Sequence, residues 1–489
     1  MTRHVWIAVG LVIAAGVWAG NWIAGGRAET NVAVQPQWKP PAEGSAQPVG
    51  DGVHDDTEHL QRWVDSGRRP LVLPAGRYRL TRSLVIDLEK TGYFAVDGQS
   101  VAVLIMDGPG PALYLKGTHQ RTAEPRDFEE RVWQNQRMPV IERLAIEGRH
   151  PQADGIRAEG TMQLRLTGLH LRKLHHGVHL VANNRNVIIS DCHIYDNRGI
   201  GIYYDQVNLH QSNILGCHIS YNRQGGIVAR GGNVRNIHIA GCDLESNMAP
   251  EEPPTANILI DCRDSQYGTA EVAITGCTIQ HNNPSPDSAN IRIIGKSLDT
   301  PRVRPLREGN ITITGNVLSD VQTNIHLVEC RGVVISGNTL WQGYQNNLLV
   351  ERSQAVVVAA NNMDRNPRYD YGNTQDANNA VVFRDCQDST ISQLLVTSVW
   401  RSEAGIVLER CRRMNVTGCT VLDCDRAGLL LKEVSDSRVS DCLVADSRPD
   451  NRSASVVIQS CHNLWLSDNL WDRPPDVDSE SQVRISPQP

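Results

Sequence analysis

The sequence predicts an all-β chain wound as a single-stranded parallel β-helix of about 12 coils, closed at its start by a helix-and-strand cap. Three observations predict it. One phrase recurs every 22 to 25 residues: an aliphatic pair, Gly or Asp, Cys or Asn, any residue, then an aliphatic. Each repeat has room for three short strands, the content of one solenoid turn that buries its inner face only by stacking on its neighbours. Aromatics make up only 5% while glycines number 40, a composition suited to thin stacked strands.

The bulk composition is that of a folded chain. The 489 residues are 40% apolar and 21% charged, and 48 Lys+Arg against 54 Asp+Glu leave a net charge of −6. The basic surplus of a nucleic-acid binder is absent, and no nucleic-acid partner is expected.

At the N-terminus, Arg3 and His4 precede an apolar run from Val5 to Ala24. Small residues offer cleavage after Ala19 or Ala28, so residues 1–28 read as a signal peptide. The run is also long enough for an uncleaved anchor, the only membrane contact the sequence suggests. Both readings place the remainder outside the cytoplasm: secreted, periplasmic or at the cell surface. No cysteine precedes Cys192, which excludes lipid attachment there, and the Pro- and Gln-rich residues 29–49 read as a linker.

The cap and first coils occupy residues 50–138. At Gly50-Asp51-Gly52-Val53-His54-Asp55-Asp56-Thr57 the chain changes character. Asp56 or Thr57 is placed to cap a helix whose Leu60, Trp63 and Val64 form one apolar stripe. Strands follow at Leu71-Val72-Leu73, Tyr78-Arg79-Leu80 and Leu84-Val85-Ile86. The run GDGVHDDTEHLQRWVDSGRRPLVLPAGRYRLTRSLVI resembles the opening of the pectate-lyase-like (polygalacturonase-like) superfamily. The resemblance implies a right-handed parallel β-helix, and it carries fold more than activity.

Coils are expected over 139–471, with 472–489 as a disordered tail. The phrase appears at Asp191-Cys192, Gly216-Cys217, Gly241-Cys242, Gly276-Cys277, Gly315-Asn316, Gly337-Asn338, Gly418-Cys419, Asp441-Cys442 and Asp468-Asn469. Twelve cysteines in an exported chain first suggest disulfides. Yet Cys192, Cys217, Cys242 and Cys277 share one repeat position, and Cys262, Cys330, Cys386, Cys411 and Cys461 share another. Stacked positions have parallel Cβ vectors that cannot close a disulfide, so a buried ladder of free thiols is expected. Their spacing is also wrong for zinc.

Candidate chemistry lies on the outward positions of one strand per coil. One column reads Arg157, His179, Tyr203, Val228, Leu259, Arg292, His326, then turns aliphatic. The next reads Glu159, Val181, Asp205, Arg230, Asp261, Ile294, Val328, Glu351, Arg384, Glu409, Lys432. Inserts at 248–256, 284–289 and 296–307 lengthen the turns beside these columns, as walls of a groove for an extended polymer would. Asp205 and Asp261, two coils or about 9.6 Å apart, suit an inverting acid/base pair. Between them Arg230 is placed to bind a uronate carboxylate, and His179 and Tyr203 are further proton carriers. Arg292 and His326 extend the site as substrate-binding groups. The same alternation of charge also fits a paired β-surface without activity.

No metal is assigned, because His175, His176 and His179 do not share a face and lack a carboxylate at ligand spacing. No cofactor is indicated, and a calcium requirement is left open. The Asn-Thr-Asp, adjacent catalytic Asp-Asp and Gly-His-Gly motifs of polygalacturonases and the Asp-Pro-His of alginate epimerases are absent, so no catalytic residue carries over. The expectation is an exported polysaccharide-active lyase or glycoside hydrolase taking an anionic glycan; the alternative is a non-catalytic glycan-binding or surface-structural β-helix.

Overall fold

The computed structural model describes residues 47–67, 69–121, 129–301, 304–450 and 453–486. The N-terminal apolar run and nearly all of the proposed linker lie outside the described residues. No helix among the described residues is long and apolar enough to cross a membrane.

The phrase at each repeat is a turn. Its Gly or Asp takes a left-handed backbone, as at Asp191 (φ 55°), Gly216 (φ 57°) and Gly315 (φ 67°). That conformation costs glycine nothing and Asp little, which is why these two types alternate there. The Cys or Asn that follows points inward, and the aliphatics on either side fill the coil interior, as with Ile189, Cys192 and Ile194.

Stacking these turns produces parallel ladders. One sheet has 16 strands, from Asp51–Asp55 to Leu470–Trp471, all paired in parallel register. Its first three strands belong to the 50–138 segment, so coiling starts inside the cap. The other two strands of each coil merge into a second sheet of 30 strands. In Val178–Ser190, one of the two longest, a single strand bends through both faces at Ala182 and Asn186, each with φ 55°. A single apolar core runs the length of the array.

At the N-terminal end the helix Thr57–Asp65 buries Leu60 and Val64, with Trp63 packed beside them. Its capping differs from expectation. Asp55, not Asp56, accepts from the Thr57 N–H (3.1 Å). Asp56 is fully buried and turns back to accept from the backbone N–H groups of Val49 and Gly50. Burial, the larger effect, raises its carboxyl above the usual range despite those two bonds.

The other correction lies at the C-terminal end. Residues 472–489 were expected to be disordered, but Asp476–Val477 and Val483–Ile485 pair in parallel with Val456–Gln459 and His462–Ser467. The open edge of the preceding coil supplies unpaired backbone groups that this polar segment satisfies. The repeat phrase is missing there, so the sequence pattern gave no sign of it.

All twelve cysteines are buried and none forms a disulfide. The column Cys192, Cys217, Cys242, Cys277 passes into asparagines: the Cys277 N–H donates to Asn316 Oδ1 (3.0 Å), and Asn316 and Asn338 donate in turn to Asn338 and Asn361. A second amide ladder escaped the sequence reading. It runs from Asn197 through Asn222, Asn247, Asn257, Asn290 and Asn324 to Asn347.

Candidate functional site

Both outward columns form in the expected register. His179 pairs with Tyr203, Tyr203 with Val228, Val228 with Leu259, Leu259 with Arg292, and Arg292 with His326. Beside them Asp205 pairs with Arg230 and Arg230 with Asp261.

The expected continuous groove is interrupted. Val228 is 0% exposed and Leu259 5%, because the inserts fold over the strand face. Ile200, Val228, Ala256, Leu259 and Ala289 form a small apolar cluster outside the coil, with Tyr203 against it. Two large aliphatics facing water would cost roughly 2 kcal/mol each. The inserts bring Ala256 and Ala289 to cover them instead of standing aside as walls. The face is thereby divided into two polar centres.

The first centre gathers His179, Tyr203, Asp205 and Arg230. His179 Nε2 donates to Asp205 Oδ2 (3.0 Å), and its ring stacks on Tyr203 with centroids 5.2 Å apart and planes 7° from parallel. Its Nδ1 is buried, has no hydrogen-bond partner, and faces Asp154 Oδ2 at 3.9 Å. Asp154 also meets His175 Nδ1 (3.2 Å) and the His176 N–H (2.9 Å). Burial opposes its ionisation, but the bonds from His175 and the His176 backbone, with the His179 ring close by, outweigh it and hold the carboxyl well below the usual range. Tyr203 is shifted upward by burial and then by Asp205, which favours the protonated hydroxyl. Arg230 is exposed and makes no ion pair among the described residues.

Asp261 does not join this centre. Arg263 forks it at 2.9 and 2.6 Å. Burial pushes against ionisation, yet the Arg263 bonds prevail and keep the carboxyl below its usual range. Of the expected Asp205/Asp261 acid/base pair, Asp261 is thus engaged by Arg263.

Arg292 and His326 belong to the second centre. Arg292 Nη2 donates to Asp287 (2.8 Å) and its Nε to His326 Nδ1 (3.2 Å), while His326 Nε2 donates to Glu351 (3.1 Å). That hydrogen bond is the main cause lowering the Glu351 carboxyl. Burial lowers the Arg292 guanidinium. Arg384 then bridges Glu351 and Glu409, and Lys432 reaches Glu409.

Asp154 is the group the sequence reading missed, and it supplies a carboxylate beside the histidines. Asp154, His175 and His176 bring possible ligand atoms within 4.8 Å of one another. His176 is unsuited to a metal, however, because its Nδ1 accepts the Ile200 N–H (3.0 Å), leaving the proton on Nε2. Burial, the first cause, pushes this imidazole down to about 3, so it stays neutral. The signal was available in the repeat: Asp154 stands one coil before His176 at the same entry to the strand.

A family model described as Right handed beta helix region matches residues 132–250. The chain is a right-handed parallel β-helix. Among solved structures, this β-helix is similar to gene product 12 of bacteriophage phi29 in its pre-mature form, at 12% identity and a TM-score of 0.58 over 88% of this chain and 56% of that one. It also aligns with tailspike protein 3 of bacteriophage CBA120 (13% identity, TM-score 0.43, 90% and 60% of the two chains). A third is the A-module of the mannuronan C-5 epimerase AlgE4 of Azotobacter vinelandii (12% identity, TM-score 0.35, 90% and 98%). The β-helix thus spans little more than half the length of the two phage proteins. No curated protein matches the sequence.

Proposed function

We propose that this β-helix is an exported protein that binds an anionic polysaccharide at the first centre and cleaves it as a lyase. One observation carries the reading. Of Arg230, Arg263, Arg292 and Arg384, the last three are ion-paired, whereas Arg230 is exposed and makes no ion pair among the described residues. It stands beside Asp205 and Tyr203, and a uronate carboxylate fits a free guanidinium fork.

In β-elimination, Arg230 neutralises the uronate carboxylate and acidifies the adjacent C5–H. Asp205, oriented by the His179 Nε2–H, takes that proton. The C4–O bond breaks as C4=C5 forms, and the protonated Tyr203 hydroxyl supplies the proton to the leaving oxygen. His179 is a positioning residue, with the Asp154 carboxylate behind it at 3.9 Å. Hydrolysis by inversion fits less well, because its second carboxylate, Asp261, is tied to Arg263. Export rests on the N-terminal apolar run, which lies outside the described residues.

Incubation with a panel of uronic-acid polymers tests the reading through ultraviolet absorbance of the unsaturated ends. Activity in the wild type and its loss in Arg230→Gln are expected. The pairing of the second centre, from Asp287 to Lys432, favours the alternative of non-catalytic binding. Arg230-dependent affinity without unsaturated products would select that alternative.

A further inference from the structure

The chain's 10 Trp, 11 Tyr and 3 Phe are thinly spread, yet five of them gather around one inserted loop, residues 364–379. This loop enters the strand Ala380–Arg384 just as the 248–256 insert enters Ala256–Asp261. Two 3-10 turns, Pro367–Tyr369 and Gly372–Asp376, hold Tyr369 and Tyr371 outward at 43% and 64% exposure. Tyr369 lies against Trp341, with ring centroids 5.7 Å apart. Tyr344 donates its hydroxyl to Asn373 of the same loop (3.1 Å). Beneath, Arg365 stacks its guanidinium 3.6 Å above the Trp400 ring and ties the loop down through the carbonyls of Ser398 and Ala377.

Two features point to a ligand rather than to packing alone. Tyr369 and Tyr371 hold two ring faces in water on one loop that Arg365 ties down, an exposure that packing alone does not reward. The rings are rimmed by the exposed planar polar side chains of Asn366 and Asp370, with Gln342 and Asn379 buried behind them, not by aliphatics. Flat apolar faces edged by amide and carboxylate groups match a pyranose ring, which presents C–H faces and a hydroxyl equator. The cleft between Trp341 and Tyr369 has only about 10 Å³ of room, roughly one water, so a ligand must lie on the exposed faces.

We infer that the 364–379 loop and Trp341 form a sugar-stacking subsite for hexose units of a polysaccharide, at the entry edge of the same strands that carry the two polar centres. The inference rests on the polysaccharide reading above and adds to it a place where the chain is gripped without charge.

Hexamers of galacturonate, mannuronate and glucose are the probes, with binding followed by tryptophan fluorescence and by line broadening of the sugar. At least one hexamer is expected to bind saturably. Tyr369→Ala/Tyr371→Ala should weaken it about tenfold, the size of an interface hot spot, at unchanged Tm. Tyr267→Ala, an equally exposed ring on another turn, should leave it unaltered. Binding retained in Arg230→Gln but lost in the double tyrosine variant supports the subsite even if no unsaturated product ever forms, the result that would sink only the lyase reading. Arg230-dependent turnover with no effect of the tyrosine pair overturns the subsite alone. No binding of any hexamer also overturns it.

Discussion

His179 and His326 occupy one column of the β-helix five coils apart, about 24 Å at the strand spacing, and each donates Nε2–H diagonally to a carboxylate of the following coil, Asp205 at 3.0 Å and Glu351 at 3.1 Å. The repeat has thus built the same couple twice. Their surroundings differ. Asp205 neighbours Arg230, which makes no ion pair among the described residues, whereas Glu351 is engaged by Arg384 as well. That difference singles out the first couple for chemistry.

Arg230→Gln and Arg384→Gln should therefore diverge. Arg230 contributes no ion pair, so its loss should change stability by under about 0.5 kcal/mol while removing uronan affinity or turnover. Arg384→Gln should cost under about 1 kcal/mol, since Arg384 itself is 44% exposed, and should leave glycan binding as it was. Equal effects of the two on binding would remove the site from this face.

Acid should destabilise the chain through His176. From pH 6.5 down to about 3 the unfolded chain protonates this residue while the folded chain does not. The unfolded state then binds more protons, so stability falls as pH falls, by on the order of 5 kcal/mol across the window. Asp154, held below its ordinary 3.8, adds a loss of the same sign below about pH 4. His176→Asn keeps an acceptor for the Ile200 N–H and should flatten the slope between pH 6 and pH 4 in urea unfolding. An unchanged slope would contradict the assignment.

Thiol titration checks the ladder. All twelve cysteines should react in unfolded, unreduced protein and almost none in the native state. A majority blocked after unfolding would mean disulfides.

The amide column gives a sharper test. Asn338 donates to the Ile313 carbonyl and to Asn361, and accepts from Asn316. Asn338→Ala strands those buried groups and should cost about 2 kcal/mol by chemical denaturation. Asn338→Cys should cost less, because the same column already holds Cys242 and Cys277. Equal costs would show that the column does not treat the two side chains as interchangeable.

The sequence by itself determined the coil, its register and the membership of both outward columns. A strand alternates with a period of two, and a slip of one residue would turn every aliphatic outward, so the apolar pattern leaves one register only. The left-handed turns were largely legible for the same reason: they favour Gly or Asp at a fixed place, although Ala360 and Gln393 take the same backbone. The tertiary structure decided which outward groups act together. Whether Asp261 faces Arg230 or Arg263, whether Asp154 reaches His179, and whether the inserts wall the face or cover Val228 and Leu259 all depend on turns that obey no period. Their backbone hydrogen bonds and packing are settled only against the neighbouring coils. The C-terminal segment shows the same limit, since its polar sequence becomes strand because an open sheet edge lies beside it.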